Sequence, residues 1–252
     1  MFGVLYGGFS YLFFLGVFVF FACFTDGVWV PKTVDGGVAG ERWAAAAVDV
    51  GLIVLFGLQH SVMARPAFKR RLARVVPPRL ERSTYVLVSS AALALLVWQW
   101  RPLDTPLWEI RSTPVAAVLW SINAIGWIGV PVSSLLIDHL ELFGLKQVWH
   151  GFRATTFASK GFVTPSLYRY VRHPMMSSLL VGLWVTPRMT AGHLLLAVGM
   201  TVYVVIGVHY EERGLVEALG AGYERYRAST PRFFPLRARR PVDASPLSGG
   251  SR

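Results

Sequence analysis

Six stretches of this 252-residue chain carry apolar side chains with little interruption, and short polar connections separate them. A hydrocarbon core about 30 Å thick takes roughly 20 helical residues to cross. Residues 4–24 form one uncharged, Phe-rich run of that length. Residues 43–64 form a second, with Asp49 inside it and Gln59-His60 near its end. Residues 84–100 are slightly short, but Trp98 and Trp100 close them as an interfacial belt does. Residues 114–137 open with Pro114, which suits a first helical turn. A fifth stretch, 175–186, is too short alone; a start near Ser166 extends it to a helix over 166–186. The sixth begins at residue 191 and continues as a polar helix to about Leu219. Between the last two, Pro187-Arg188-Met189-Thr190 leaves room only for a tight hairpin.

The pattern predicts an all-α, polytopic integral membrane bundle of about six transmembrane helices, with a C-terminal helical hairpin and a cytosolic extension. Residues 1–237 form one membrane domain, and 238–252, rich in Arg, Pro, Gly and Ser, are expected to be disordered. Composition agrees: 54% hydrophobic, 15% charged and a mean hydropathy of +0.47, against about 25% charged in soluble proteins. The first run is longer than a signal-peptide core, carries no basic residue before it and has no Ala-x-Ala site after it. It reads as a retained helix. No internal repeat of the inverted-transporter kind is visible.

A net charge of +11 suggests nucleic acid until its placement is checked. The connections 65–82, 138–174 and 213–252 hold twenty Lys and Arg, whereas the alternate connections hold five. By the positive-inside rule both termini are cytoplasmic, at the cytoplasmic membrane. The excess then serves topology and contact with the lipid bilayer, with no nucleic-acid partner.

Ionisable groups beside membrane helices are candidates for function. Most sit at the cytoplasmic ends: Gln59 and His60, then Asp138, His139 and Glu141, then Arg172 and His173, then His209, Glu211 and Glu212. Together they would build a polar pocket in the cytoplasmic leaflet, although wet headgroups make any helix end polar. The six His stand at least eleven residues apart, so a His-rich di-iron site is excluded and no metal is expected. One cysteine, Cys23, rules out an intrachain disulfide and a CxxC site. No Gly-x-Ser-x-Gly, P-loop or His-Glu-x-x-His occurs. Asp49 and Asn123 are too few for an ion pathway, and Asp49 is expected to be a buried hydrogen-bonding group.

The C-terminal third is densest in motifs. Leu167-Tyr168-Arg169-Tyr170-Val171-Arg172-His173-Pro174 precedes a membrane helix, and Pro174 keeps His173 out of the helical region. Glu211-Glu212-Arg213-Gly214-Leu215 lies at the exit of the last helix, and Tyr223-Glu224-Arg225-Tyr226 and then Pro235 follow. This order resembles the isoprenylcysteine carboxyl methyltransferase-like (NnrU-like) superfamily of membrane methyltransferases. Gln59-His60-Ser61-Val62-Met63-Ala64-Arg65-Pro66, Glu81-Arg82-Ser83-Thr84-Tyr85, Trp98-Gln99-Trp100-Arg101-Pro102 and His139-Leu140-Glu141-Leu142-Phe143-Gly144-Leu145 narrow it. They are similar to its methanethiol S-methyltransferase branch.

The resemblance implies transfer of a methyl group from S-adenosylmethionine to methanethiol, releasing dimethyl sulfide. It places Tyr168, Arg172, His173, Pro174, Glu211, Glu212, Tyr223 and Tyr226 on the cofactor side. One departure stands out: after His-Pro the superfamily commonly shows an aromatic residue and then a Gly, whereas this chain reads Met175-Met176-Ser177-Ser178. Positions 175–178 are therefore not assigned to binding. A thiol with a pKa near 8.5 needs a proton acceptor, and His60, His139 and Glu212 are the candidates. The residues alone leave other readings open: a methyltransferase for a larger thiol or prenylated substrate, an NADPH-dependent sterol-reductase-like enzyme, or a non-enzymatic membrane helper. They leave the oligomeric state open too.

Overall fold

A computed structural model describes residues 1–38, 40–153, 155 and 165–235. The predicted tail, 238–252, lies outside the described residues. In chain order the elements are α1 (Phe2–Asp26), α2 (Arg42–Ala64), α3 (Pro66–Leu72), α4 (Pro78–Gln99), β1 (Pro106–Glu109) and α5 (Thr113–Ile137). Then follow α6 (His139–Leu142), α7 (Leu145–Phe152), α8 (Pro174–Trp184), β2 (Arg188–Thr190), α9 (Ala191–Leu219) and α10 (Ala221–Ser229). Among the described residues five helices, α1, α2, α4, α5 and α9, are long and apolar enough to cross a membrane. The protein is an all-α membrane bundle with one two-stranded exception.

The predicted helix over 166–186 is corrected. Residues Ser166–Arg169 make a single 3₁₀ turn, the helix begins at Pro174, and it ends after 11 residues. Pro174 has no N–H to continue a helix from the preceding turn. Ahead of it the backbone N–H groups of Arg172 and His173 donate instead to Pro231 O (2.9 Å) and Arg232 O (3.1 Å). Eleven residues rise only about 16 Å, so α8 is half a span. The chain beyond α8 is extended. β2 pairs antiparallel with β1, Ile110 N donates to Pro187 O (2.8 Å), and Trp108 Nε1 donates to Thr186 O (3.2 Å). These partners satisfy backbone groups that a helix would have satisfied internally. Among the described residues there are thus five helices of membrane-crossing length and one shorter apolar helix, α8, that β2 follows.

Packing differs between the ends. The buried apolar cluster, with Phe21, Phe24, Trp100, Leu183 and Leu196 among its members, gathers where α1 and α4 finish and α9 begins. Polar groups there serve as ties. Asp49 is fully buried and accepts from Arg101 N (2.9 Å), as expected, and Asn123 donates to Asp26 (3.1 Å) and to Gly182 O (2.9 Å). Apolar side chains such as Leu5, Leu12, Ile125, Ile128 and Val202 point outward, the face a lipid-solvated helix presents. At the other end α2, α5 and α9 bring their polar termini together with the segment before α8.

Candidate functional site

Pro174 stands at the start of α8, and His173 before it takes a non-helical φ of −127°, as the residue before a proline does. That turn aims Arg172 and His173 at α9, where Glu212 is 2% exposed. Arg172 Nε donates to Glu212 Oε1 (2.8 Å), His173 Nε2 lies 3.1 Å from the same oxygen, and Arg232 Nη2 donates to Oε2 (2.7 Å). Arg172 Nη1 also donates to Arg227 O (2.8 Å) and to Thr230 O. A buried carboxylate is stable only with such partners. One acid thus ties α9, the segment before α8 and the chain after α10.

The adjacent Glu211 behaves differently. Its side chain keeps 54% of its surface accessible, and its Oε2 stands 4.0 Å from His173 Nδ1. Arg82 and Tyr85 on α4, Tyr203 on α9, and Tyr168 lie within electrostatic range of its carboxylate. Tyr168 is held from two sides: its hydroxyl donates to Ser133 O at the end of α5 (3.4 Å), and its carbonyl accepts from Tyr226 Oη (2.5 Å). Tyr223 is 1% exposed, with its ring 5.8 Å from that of Tyr226. Burial, and next the Glu212 charge, push the Tyr223 hydroxyl up to about 12. Burial likewise raises Tyr168 and Tyr226. All three hydroxyls therefore stay protonated donors. An accessible carboxylate with phenol groups and one guanidinium in electrostatic range is suited to an organic cation, since ring faces attract positive charge.

His60, at the end of α2, touches two of these tyrosines. Its ring lies 5.5 Å from Phe56, 4.9 Å from Tyr85 and 5.8 Å from Tyr203. Its Nδ1 is buried with no hydrogen-bond partner among the described residues. His139 is elsewhere, between α1 and α5. Ser134 donates its single proton to Pro131 O (2.7 Å), so its oxygen accepts from His139 Nδ1 (2.7 Å). His139 Nε2 then accepts from Tyr11 Oη (2.7 Å). Both nitrogens are committed, and burial holds the imidazole pKa down.

The structure therefore brings together His60, Tyr168, Arg172, His173, Glu211, Glu212, Tyr223 and Tyr226, and sets His139 apart. It also separates their roles. Glu212, a candidate proton acceptor, has both oxygens engaged by cations, whereas Glu211 is open. Pro174 acts by setting the backbone turn. Arg82, Tyr85, Tyr203, Phe56 and Arg232 had no assigned role in the sequence. Tyr203 and Glu211 are eight residues apart, near enough to one face of α9 to be grouped, but an aromatic inside an apolar run looks like any other core residue.

Among the described residues no cluster of His, Cys, Asp and Glu could hold a metal ion. The family model described as NnrU protein matches residues 50–235. Methanethiol S-methyltransferase of Mycobacterium tuberculosis is 45% identical over 92% of this chain and 95% of its own length. Methanethiol S-methyltransferase 2 of Bradyrhizobium diazoefficiens is 44% identical over 95% of the chain and 93% of itself. That of Crocosphaera subtropica is 40% identical over 93% and 92%. No solved structure matches the chain.

Proposed function

Because this chain belongs to the NnrU protein family and aligns over nearly its whole length with methanethiol S-methyltransferases, we propose that it methylates methanethiol to dimethyl sulfide. The methyl donor is S-adenosylmethionine, and the protein works in the cytoplasmic membrane with both termini on the cytoplasmic side. The sidedness rests on the twenty-to-five distribution of basic residues.

The observation that carries this proposal is Glu211, an accessible carboxylate with Tyr85, Tyr168 and Tyr203 in electrostatic range, which we read as one side of a donor chamber. When bound, the donor supplies an activated methyl group on a positively charged sulfur. Glu211 and the Tyr faces hold positive charge in the chamber. Arg172, His173 and Arg232, locked on Glu212, keep the chamber floor still, so Glu212 is a positioning residue. Tyr226 positions Tyr168 through its carbonyl, and Tyr223 packs behind Tyr226. Methyl transfer neutralises charge in line, so orientation and dryness supply most of the rate.

The test is headspace analysis of membranes containing the protein, given methanethiol and isotope-labelled S-adenosylmethionine. Labelled dimethyl sulfide is expected. Binding of NADPH in place of S-adenosylmethionine would overturn the proposal in favour of reductase chemistry, and turnover only with longer or prenylated thiols would move the substrate.

A further inference from the structure

We propose that His60 takes the proton from the substrate thiol, and that Phe56, Tyr85 and Tyr203 wall the dry box in which the thiol sulfur sits. The inference rests on the functional proposal above and assigns a thiol site within it.

The first ground is hydrogen-bond accounting. His139 spends both nitrogens on Tyr11 and Ser134, His173 meets Glu212 and Glu211, and His193 Nε2 meets Leu183 O at 2.8 Å. His60 alone among these has a buried nitrogen without a partner. A native protein rarely leaves such a group unmatched without a use for it. The second ground is the surroundings: the three rings on His60 come from α2, α4 and α9 and supply an apolar wall. A small apolar thiol fits there, and a proton moves best to a nearby base where water is excluded.

The third ground is placement. Tyr85 and Tyr203 touch His60 on one side and lie in electrostatic range of Glu211 on the other. The thiol beside His60 and the donor beside Glu211 therefore meet next to the same two rings. In the step, the S–H proton passes to the His60 imidazole, and the freed sulfur electron pair forms the new S–CH₃ bond. The old methyl–sulfur bond breaks with its electrons staying on the donor sulfur, both sulfur products are neutral, and His60 releases the proton to water.

The experiment compares methanethiol with methaneselenol, because a selenol ionises without a base at neutral pH. His60→Gln should lower kcat/KM for methanethiol by roughly 10²–10⁴-fold. The same variant should keep most of its activity on methaneselenol and bind labelled S-adenosylmethionine like the parent. Equal loss on both substrates with donor binding intact overturns the proposal, as does unchanged thiol activity. If the variant does not accumulate, the parent's pH profile decides. Thiol turnover should fall toward acid as His60 protonates while selenol turnover stays flat, and parallel profiles overturn the proposal. The charged and titrating groups facing His60 are Arg82 and Tyr85 from α4 and Tyr203 from α9; they act on both substrates alike, so the difference between profiles reports the base. A parent that methylates neither substrate overturns the functional proposal instead.

Discussion

Two helix contacts in this protein are made by opposite means. Along α5 and α8 the backbones nearly touch: a Cβ added at Gly126 would stand 2.5 Å from Gly182 N, and one at Gly182 would stand 2.9 Å from the Trp127 ring. The order of these contacts, with Gly129 beside Ser178 and Gly126 beside Gly182, makes the two helices antiparallel. Where α2, α4 and α9 converge, large rings hold the helices apart around His60, and a carboxylate is left open beside them. In lipid there is no hydrophobic gain from bringing helices together, so close packing of small residues makes the first contact firm. The second gives up that closeness and gains room for chemistry. Buried polarity alone does not mark the site. Asp49 is as buried as Glu212, with one oxygen accepting a backbone N–H and the other unpartnered among the described residues. The mark is an accessible carboxylate with an imidazole set among rings near it.

The comparison can be broken from either side. Arg172→Ala leaves Glu212 buried with part of its charge unmatched, so unfolding in detergent should show a loss of about 3–5 kcal/mol, with the Glu211 chamber collapsing first. Gly126→Val attacks the seam instead. Its Cβ meets backbone, which cannot rotate away, and about 1–3 kcal/mol should go, while the fraction still folded keeps its turnover. Glu211→Gln sharpens the contrast with Glu212: stability should stay within about 0.5 kcal/mol, while equilibrium binding of S-adenosylmethionine weakens roughly 10- to 100-fold, the worth of one charged contact. Tyr226→Phe removes the bond to Tyr168 O and should cost about 1 kcal/mol in the melt. The smallest effect is on pH. His139 has a folded-state pKa below its free value, so unfolding takes up protons. Its contribution is whole above about pH 6.5 and is lost as pH falls through the folded value; His139→Asn should flatten the acid side of the stability curve.

The long helices were legible because each one answers to a single demand, about 20 apolar residues in a row. The predicted 191–219 matches α9 end to end. The segment 166–186 failed that test because its course is set by partners far away in the chain: Pro231 and Arg232 take the N–H groups of Arg172 and His173, and β1 supplies the strand beyond α8. The motif residues of the site were legible as types. Which carboxylate was spent and which was open could not be read from Glu211-Glu212, since the two are neighbours and differ only in the face of α9 they occupy.

By itself, the sequence determined a membrane bundle, its likeness to membrane methyltransferases and the set of polar residues at one level. Apolar run length and residue identity are local properties, and they carry that much. Only the tertiary structure decided that Glu212 is consumed by Arg172, His173 and Arg232, that His139 is tied to Tyr11 and Ser134, and that His60 sits among rings with a nitrogen unspent. Those outcomes depend on which groups meet across 39 positions of chain in one case and 128 in another, and a hydrogen-bond inventory closes only when every partner has been brought into place.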